Sequence, residues 1–162
     1  MTIPSFTPDT SPEILASALE TSGCLVLTDV LNEENRLAIQ RELAPDMAKV
    51  RNLEKDDPDE FYPGRTRRIT SLVARSKTVA EQLVVHPNSK QLCEEFLLPN
   101  GEFGYQLHVT AALEVGPGAR TQVLHREEDS FTFFPVPRPN LILASMWAIT
   151  DFRADNGATL IV

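Results

Sequence analysis

The stretch YQLHVTAALEV at residues 105–115 decides the fold class of this chain. Apolar residues occupy every second position from Tyr105 to Val115, and polar residues such as Gln106 and His108 alternate with them. A period of two is typical of a β-strand that buries one face, whereas a helix repeats its apolar positions about every 3.6 residues. The stretch therefore predicts a strand that buries the face of Tyr105 and Val115.

Upstream of this strand the sequence carries the signals of helix starts and ends. Predicted helices follow the capping residues Ser11, Asn32 and Ser76, and a further helix is expected over about 88–97. Proline follows Ser11 directly, and Gly23 is placed to end the first helix. The first half of the chain is therefore expected to be mainly helical.

Short apolar runs predict further strands. They lie at 24–30 and 67–74 before the central stretch, and at 121–125, 141–152 and 158–162 after it. Helices thus precede antiparallel-type strands along the chain. The expected class is α+β, with N-terminal helices flanking a sheet or barrel in the C-terminal half.

The size of the chain predicts a single domain over residues 1–162, with a charged loop at 55–65. Its last residues, GATLIV at 157–162, form an apolar strand pattern without a polar tail. Such a strand would leave an open sheet edge. We therefore expect the domain to be C-terminally incomplete.

Charge and composition exclude several classes of partner. The formal net charge is -8 and the pI is about 4.9, so the chain lacks the basic surface that nucleic-acid binding needs. No secretory leader and no apolar run long enough for a bilayer are visible, so a cytoplasmic protein without a membrane partner is expected. Cys24 and Cys93, the two cysteines, are expected to be reduced and packed in the core.

His125 and Glu127 are the candidate metal ligands. On a strand, residues two apart point to the same face, so both side chains would reach one ion. With a second histidine they would form the two-histidine, one-carboxylate triad of iron(II) oxygenases. The alternative is that His125 donates to a backbone carbonyl while Glu127, Glu128 and Asp129 form a solvated acidic turn. The spacing alone leaves both interpretations open.

Three segments resemble the phytanoyl-CoA dioxygenase family of iron(II)/2-oxoglutarate oxygenases. They are GRTRRITSLVARSKT at 64–78, QVLHREEDSFTFFPVPRP at 122–139 and ASMWAITDFRADNGAT at 144–159. The likeness is greatest to fungal members that oxidise alkaloids and terpenoids. It implies a double-stranded β-helix, a jelly-roll or cupin-like barrel flanked by helices, which agrees with the predicted order of elements.

The resemblance also implies roles for individual residues. His125 would be the first Fe(2+) ligand, and Glu127 would stand where the family normally has aspartate. Gln122 and Thr159 match positions expected to bind the cosubstrate 2-oxoglutarate. On an ideal strand, however, Gln122 would point away from His125. Thr159 also fits an ordinary strand residue after a turn.

Candidate substrate contacts are apolar. The resemblance and the run FTFFPVP at 131–137 indicate an apolar natural product as substrate. Core packing is the alternative for each ring, and it is the expectation for Trp147. The candidates are Leu72, Phe131, Phe133 and Phe134.

Two landmarks of the family are absent from this sequence. The resemblance implies a second histidine ligand and an arginine for 2-oxoglutarate beyond the NGAT segment, and the sequence ends before either. His86 and His108, the other histidines, are expected to be structural.

Two main functions therefore stay open. One is an iron/2-oxoglutarate dioxygenase of fungal secondary metabolism. The other is a truncated, inactive relative that pairs with a full-length oxygenase through an open sheet edge, or a non-functional fragment. A small cupin-like metal protein of other chemistry has only the fold to support it. The likeness to fungal enzymes also implies a homodimer.

Overall fold

The computed structural model describes residues 2–51 and 61–162, so the predicted loop at 55–65 lies partly outside the described residues. Helices and strands are both present. The helices are α1 (Pro12–Ser22), α2 (Glu33–Met47) and α3 (Pro87–Leu97). The strands are β1 (Ser5–Phe6), β2 (Val26–Leu27), β3 (Thr66–Thr70) and β4 (Ala111–Val115). A π-helical turn (Val79–Val84) and short 3-10 helices at Leu72–Ala74, Leu98–Asn100 and Glu127–Phe131 complete the elements.

The helix predictions are confirmed, and the local signals explain where the helices begin and end. Pro12 opens α1, and Gly23 closes it in the left-handed conformation with its N–H donating to Leu19 O at 2.8 Å. The side chain of Asn32 accepts from the Asn35 N–H at 2.8 Å and caps α2. The helix predicted after Ser76 begins under a comparable cap and takes the form of the π-helical turn.

The main core lies where α2, β3 and the π-helical turn meet. Ile39 is 1% exposed, and the other buried members of this core are equally apolar. Together they are Ile39, Leu43, Ile69, Leu72, Val79 and Leu83. Trp147 and Ile149 pack against this core from the C-terminal half, so the prediction that Trp147 is a packing residue is confirmed. A separate contact joins α1 to α3.

Strands β3 and β4 form an antiparallel pair whose register runs from Thr66 opposite Val115 to Thr70 opposite Ala111. Only the last part of the predicted 105–115 strand is therefore paired. The predicted buried face is wrong, because Leu113 and Val115 are 46% and 42% exposed. Ala112 packs on the core instead, because its partner in the register is the buried Ile69.

Three other strand predictions are wrong for the described residues. The segments 121–125, 141–152 and 158–162 have an irregular conformation. An apolar run becomes a strand only where a neighbouring strand offers ladder hydrogen bonds, and no such neighbour lies beside these segments in the described part of the chain. Residues 141–152 are held by side chains instead, since Arg36 Nη1 donates to Ile149 O at 3.0 Å.

Two earlier strand predictions are correct only in part. The predicted strand at 24–30 shrinks to Val26–Leu27, which pairs in parallel with Ser5–Phe6. The predicted strand at 67–74 ends at Thr70 and continues as the 3-10 helix Leu72–Ala74. The two sheets, of two strands each, neither build nor exclude a double-stranded β-helix, and the barrel therefore stays a prediction.

Both cysteines are free, as predicted, but they are half-buried and do not belong to the main core. Burial, with a smaller contribution from the charge of Glu94, raises the pKa of the Cys93 thiol above its ordinary value. Among the described residues no helix combines the length and the apolar composition that crossing a bilayer requires.

The turn at 154–157 provides a test of backbone geometry. Gly157 has φ +79°, and a Cβ added there would lie 2.8 Å from Val115 Cγ1. We expect Gly157→Ala to lower the free energy of unfolding by about 1.5 kcal/mol, from backbone strain plus this contact. Urea denaturation monitored by circular dichroism measures this change in the free energy of unfolding.

Gly23→Ala is the matched control for this turn. Gly23 also has a positive φ, of +70°, but no atom lies within 4 Å of an added Cβ. Its substitution should lower the free energy of unfolding by about 1 kcal/mol, from backbone strain alone. Equal losses at the two positions would show that Val115 does not pack against the turn.

Candidate functional site

The imidazole of His125 is anchored through one of its nitrogens. Nδ1 lies 2.8 Å from Val123 O. Because a carbonyl only accepts, Nδ1 carries the proton in the neutral ring and Nε2 keeps its lone pair. Histidines that bind metals usually have this arrangement, in which the second nitrogen fixes the orientation of the ring. The hydrogen bond to a backbone carbonyl, expected of a structural histidine, is therefore compatible with a metal-binding role. It leaves the lone pair of Nε2 available to a metal ion.

Glu127 lies next to that free nitrogen. Its Oε1 atom is 3.6 Å from His125 Nε2, and the two side chains are 66% and 32% exposed, respectively. Their proximity does not come from the strand that the sequence predicted. Glu127 is the first residue of the 3-10 helix Glu127–Phe131, and His125 precedes that helix in irregular chain. A tight turn thus brings together two side chains that the strand period was expected to align.

The pair fits part of an iron site. Nitrogen and oxygen donors at about 2.1 Å from one ion, at a right angle, lie about 3 Å apart, which is close to the observed separation. Imidazole and carboxylate are also the donor types of the iron(II) triad. Within residues 2–51 and 61–162, however, no group of three His, Cys, Asp or Glu side chains is placed to hold a metal. Among the described residues, His125 and Glu127 therefore stay a pair of candidate ligands without a third.

The other histidines lie against aromatic rings. The His86 ring is 5.6 Å from that of Trp147, and burial lowers the pKa of His86 below its ordinary value. The His108 ring lies 6.0 Å from that of Phe131. Both contacts agree with the structural roles expected for these histidines.

Aromatic contacts that the sequence did not predict support the imidazole. The Phe61 ring packs edge-on against His125, with centroids 4.9 Å apart, and against Tyr62 at 5.0 Å. The guanidinium of Arg68, on β3, lies 4.8 Å from the centre of the Tyr62 ring. This chain of contacts links His125 to β3. No sequence pattern predicts it, because Phe61 and Tyr62 occur in a segment predicted to be a charged loop.

The candidate substrate residues separate into two environments. Phe131, Phe133 and Phe134 form one ring cluster, with neighbouring centroids 5.9 and 4.9 Å apart. Phe133 is 75% exposed, so the cluster presents an apolar surface. Leu72 is 7% exposed and belongs to the main core, away from solvent. A substrate contact of Leu72 stays a prediction.

The candidate 2-oxoglutarate residues are not joined to His125 and Glu127 by hydrogen bonds. Gln122 is half-buried and Thr159 is exposed. Among the described residues, the recorded hydrogen bond of His125 goes to Val123 O and not to either of these side chains. Their cosubstrate role stays a prediction.

Comparison with known proteins identifies the family. A sequence profile described as phytanoyl-CoA dioxygenase (PhyH) matches residues 19–162. The chain belongs to this family. The match covers all the segments on which the resemblance rested, together with His125, Glu127 and the ring cluster.

Curated fungal dioxygenases of similar sequence extend the comparison. Dioxygenase trt7 of Aspergillus terreus is 27% identical over 159 residues, which cover 96% of this chain and 55% of that protein. Dioxygenase cdmA of Talaromyces verruculosus is 29% identical, with coverages of 95% and 54%. The Fe(II)/2-oxoglutarate-dependent dioxygenase nvfF of Aspergillus novofumigatus is 29% identical, with coverages of 97% and 55%. The chain spans about half the length of the curated relatives it matches.

Proposed function

We propose that this chain is part of an iron(II)/2-oxoglutarate-dependent dioxygenase in which His125 and Glu127 are two of the iron ligands. The observation that carries the proposal is the anchored imidazole, whose free Nε2 lies 3.6 Å from the Glu127 carboxylate. Membership of the phytanoyl-CoA dioxygenase family supports it, and so does the similarity to nvfF, an Fe(II)/2-oxoglutarate-dependent dioxygenase.

The residues of the chain would divide the work of such a site. His125 and Glu127 would hold the ion, while Gln122 and Thr159 would bind 2-oxoglutarate. When bound, iron(II) and 2-oxoglutarate would allow dioxygen to oxidise an unactivated C–H bond of the substrate. Succinate and carbon dioxide would be the coproducts. The rings of Phe131, 133 and 134 would exclude water from an apolar substrate.

The proposed substrate is an apolar natural product of fungal secondary metabolism, an alkaloid or a terpenoid. The exposed ring cluster supports an apolar ligand, because its faces bind hydrocarbon surface and offer no charged partner. The curated relatives are fungal dioxygenases, which agrees with this class of enzyme.

An anaerobic titration with iron(II) and 2-oxoglutarate tests the metal site. We expect a weak visible charge-transfer band in the unsubstituted chain, and Glu127→Gln should weaken iron binding at least about tenfold because a charged ligand is lost. Glu128→Gln is the matched control, since the Glu128 carboxylate is directed to Arg126 at 3.5 Å. A charge-transfer band of equal intensity in Glu127→Gln and Glu128→Gln would show that Glu127 is not an iron ligand.

A second candidate is a relative without turnover of its own, which pairs with a full-length oxygenase or with a second copy of itself. The finding that no three His, Cys, Asp or Glu side chains of the described residues are placed to hold a metal is compatible with it. We expect the purified chain to bind iron weakly and to form little succinate from 2-oxoglutarate. The test is to incubate the chain with iron(II) and 2-oxoglutarate under air and to measure the succinate formed by chromatography. Robust decarboxylation of 2-oxoglutarate would require a complete iron site and would exclude this candidate.

A further inference from the structure

Arg138 reaches back to the turn that carries Glu127. The half-buried guanidinium donates through Nη1 to Glu128 O at 3.2 Å and to Phe131 O at 3.5 Å. Both carbonyls belong to the 3-10 helix Glu127–Phe131. One side chain therefore contacts the backbone next to the proposed iron ligand and the backbone of a proposed substrate residue.

This 3-10 helix needs such support. Short 3-10 helices have poor hydrogen-bond geometry, and the last carbonyls of a helix have no partner within it. Cationic side chains are favoured at that end, where they neutralise the exposed carbonyl dipoles. At the other end the Asp129 carboxylate accepts from the Arg126 N–H at 3.2 Å. Arg138 adds a cation beside two carbonyls of this helix, and one of them, Phe131 O, also accepts from the Phe134 N–H at 3.1 Å.

The backbone on both sides of Arg138 is restricted. Pro137 and Pro139 flank it, and each proline ring fixes its own φ at about −65°. Proline also confines the residue before it to extended conformations, so Arg138 itself has little backbone freedom. The guanidinium is planar and its NH₂ group offers two protons, one for each carbonyl. Lysine would offer a mobile point charge in its place.

We infer that Arg138 is a positioning residue that fixes the Glu127 carboxylate beside His125 and holds Phe131 at the edge of the same site. The inference rests on the proposed function, since it gives Glu127 the role of an iron ligand. In this role Arg138 contacts the backbone carbonyls of Glu128 and Phe131. It would act through the turn, and the ion would be bound by Glu127 and His125.

Two readouts on the purified 162-residue chain test this role. Hydrogen–deuterium exchange without metal reports the order of the turn, and titration with Co²⁺ alone reports metal affinity and the visible spectrum of the bound ion. We expect Arg138→Ala to speed exchange at 127–131 and to weaken Co²⁺ binding roughly fivefold, about the effect of one hydrogen bond, with a shifted spectrum. Arg138→Lys should restore part of both effects.

Arg41→Ala is the matched control, because Arg41 is exposed on α2. It should change neither readout, and thermal unfolding of each variant shows that the fold is retained. Co²⁺ binding that is equal in the unsubstituted chain and Arg138→Ala would overturn the inference while the proposed function stands. Faster exchange without any change in Co²⁺ binding would also overturn it. Absence of Co²⁺ binding by the unsubstituted chain would overturn the proposed function and this inference with it.

Discussion

Replacing Ile39 by alanine is expected to lower the free energy of unfolding by about 2–5 kcal/mol. Ile39 is 1% exposed on α2 and belongs to the core that α2 shares with β3 and the π-helical turn. Deleting its outer carbons removes dispersion contacts and leaves a cavity that the surrounding helices and strand fill only in part. Since domains are stable by about 5–15 kcal/mol, this loss is a large fraction of the total.

Urea denaturation measured by circular dichroism gives the size of the effect. Ile14→Ala is the matched control, because the same atoms are deleted from an isoleucine of α1 that is 52% exposed. The control should cost well under half as much as Ile39→Ala. Similar losses at the two positions would mean that α2 does not pack on β3 as described.

The parts of the fold that could be predicted from the sequence are those set by local interactions. Proline at the start of α1, Gly23 at its end and the Asn32 cap act within a few residues of the backbone that they stabilise. The strands depended on distant partners. The apolar alternation at 105–115 was real, yet only Ala111–Val115 pairs, because β3 reaches no further along the segment. The exposure of Leu113 and Val115 likewise depends on what covers that face, which no local pattern encodes.

The candidate site divides in the same way. The proximity of His125 and Glu127 could be predicted, because side chains two residues apart can approach each other in more than one backbone conformation. The supports of the pair could not. Phe61 reaches His125 and Arg138 reaches Glu128 O only after the chain has folded back on itself. Such contacts leave no periodic signal in the sequence.

The second large effect is expected at Glu42, whose carboxylate joins α2 to the start of the π-helical turn. It accepts from the Ser76 hydroxyl, and from the N–H and hydroxyl of Thr78 at 3.1 and 2.8 Å. Ser76 is 1% exposed, so its hydroxyl proton has no access to water if the acceptor is lost. Glu42→Gln, which turns an amide N–H₂ toward these donors, should cost about 2–3 kcal/mol at pH 7.

The same hydrogen bonds predict a pH dependence. The bond from Ser76, with smaller contributions from Thr78 and the charge of Arg41, lowers the pKa of Glu42 below its ordinary value of 4.5. A carboxyl group with a depressed folded-state pKa stabilises the fold above its unfolded-state pKa. This stabilisation is lost as the pH falls through the folded-state value. The stability difference between the unsubstituted chain and Glu42→Gln should therefore be full at pH 7 and shrink as the pH falls below 4.5.

Urea denaturation at a series of pH values measures this difference, with Glu95→Gln as the control. Glu95 is exposed on α3, so its substitution should leave the stability nearly unchanged across the series. A gap between the unsubstituted chain and Glu42→Gln that stays constant down to low pH would mean that the ionised carboxylate is not the acceptor. The link between α2 and the π-helical turn would then come mainly from the apolar packing of the core that they share.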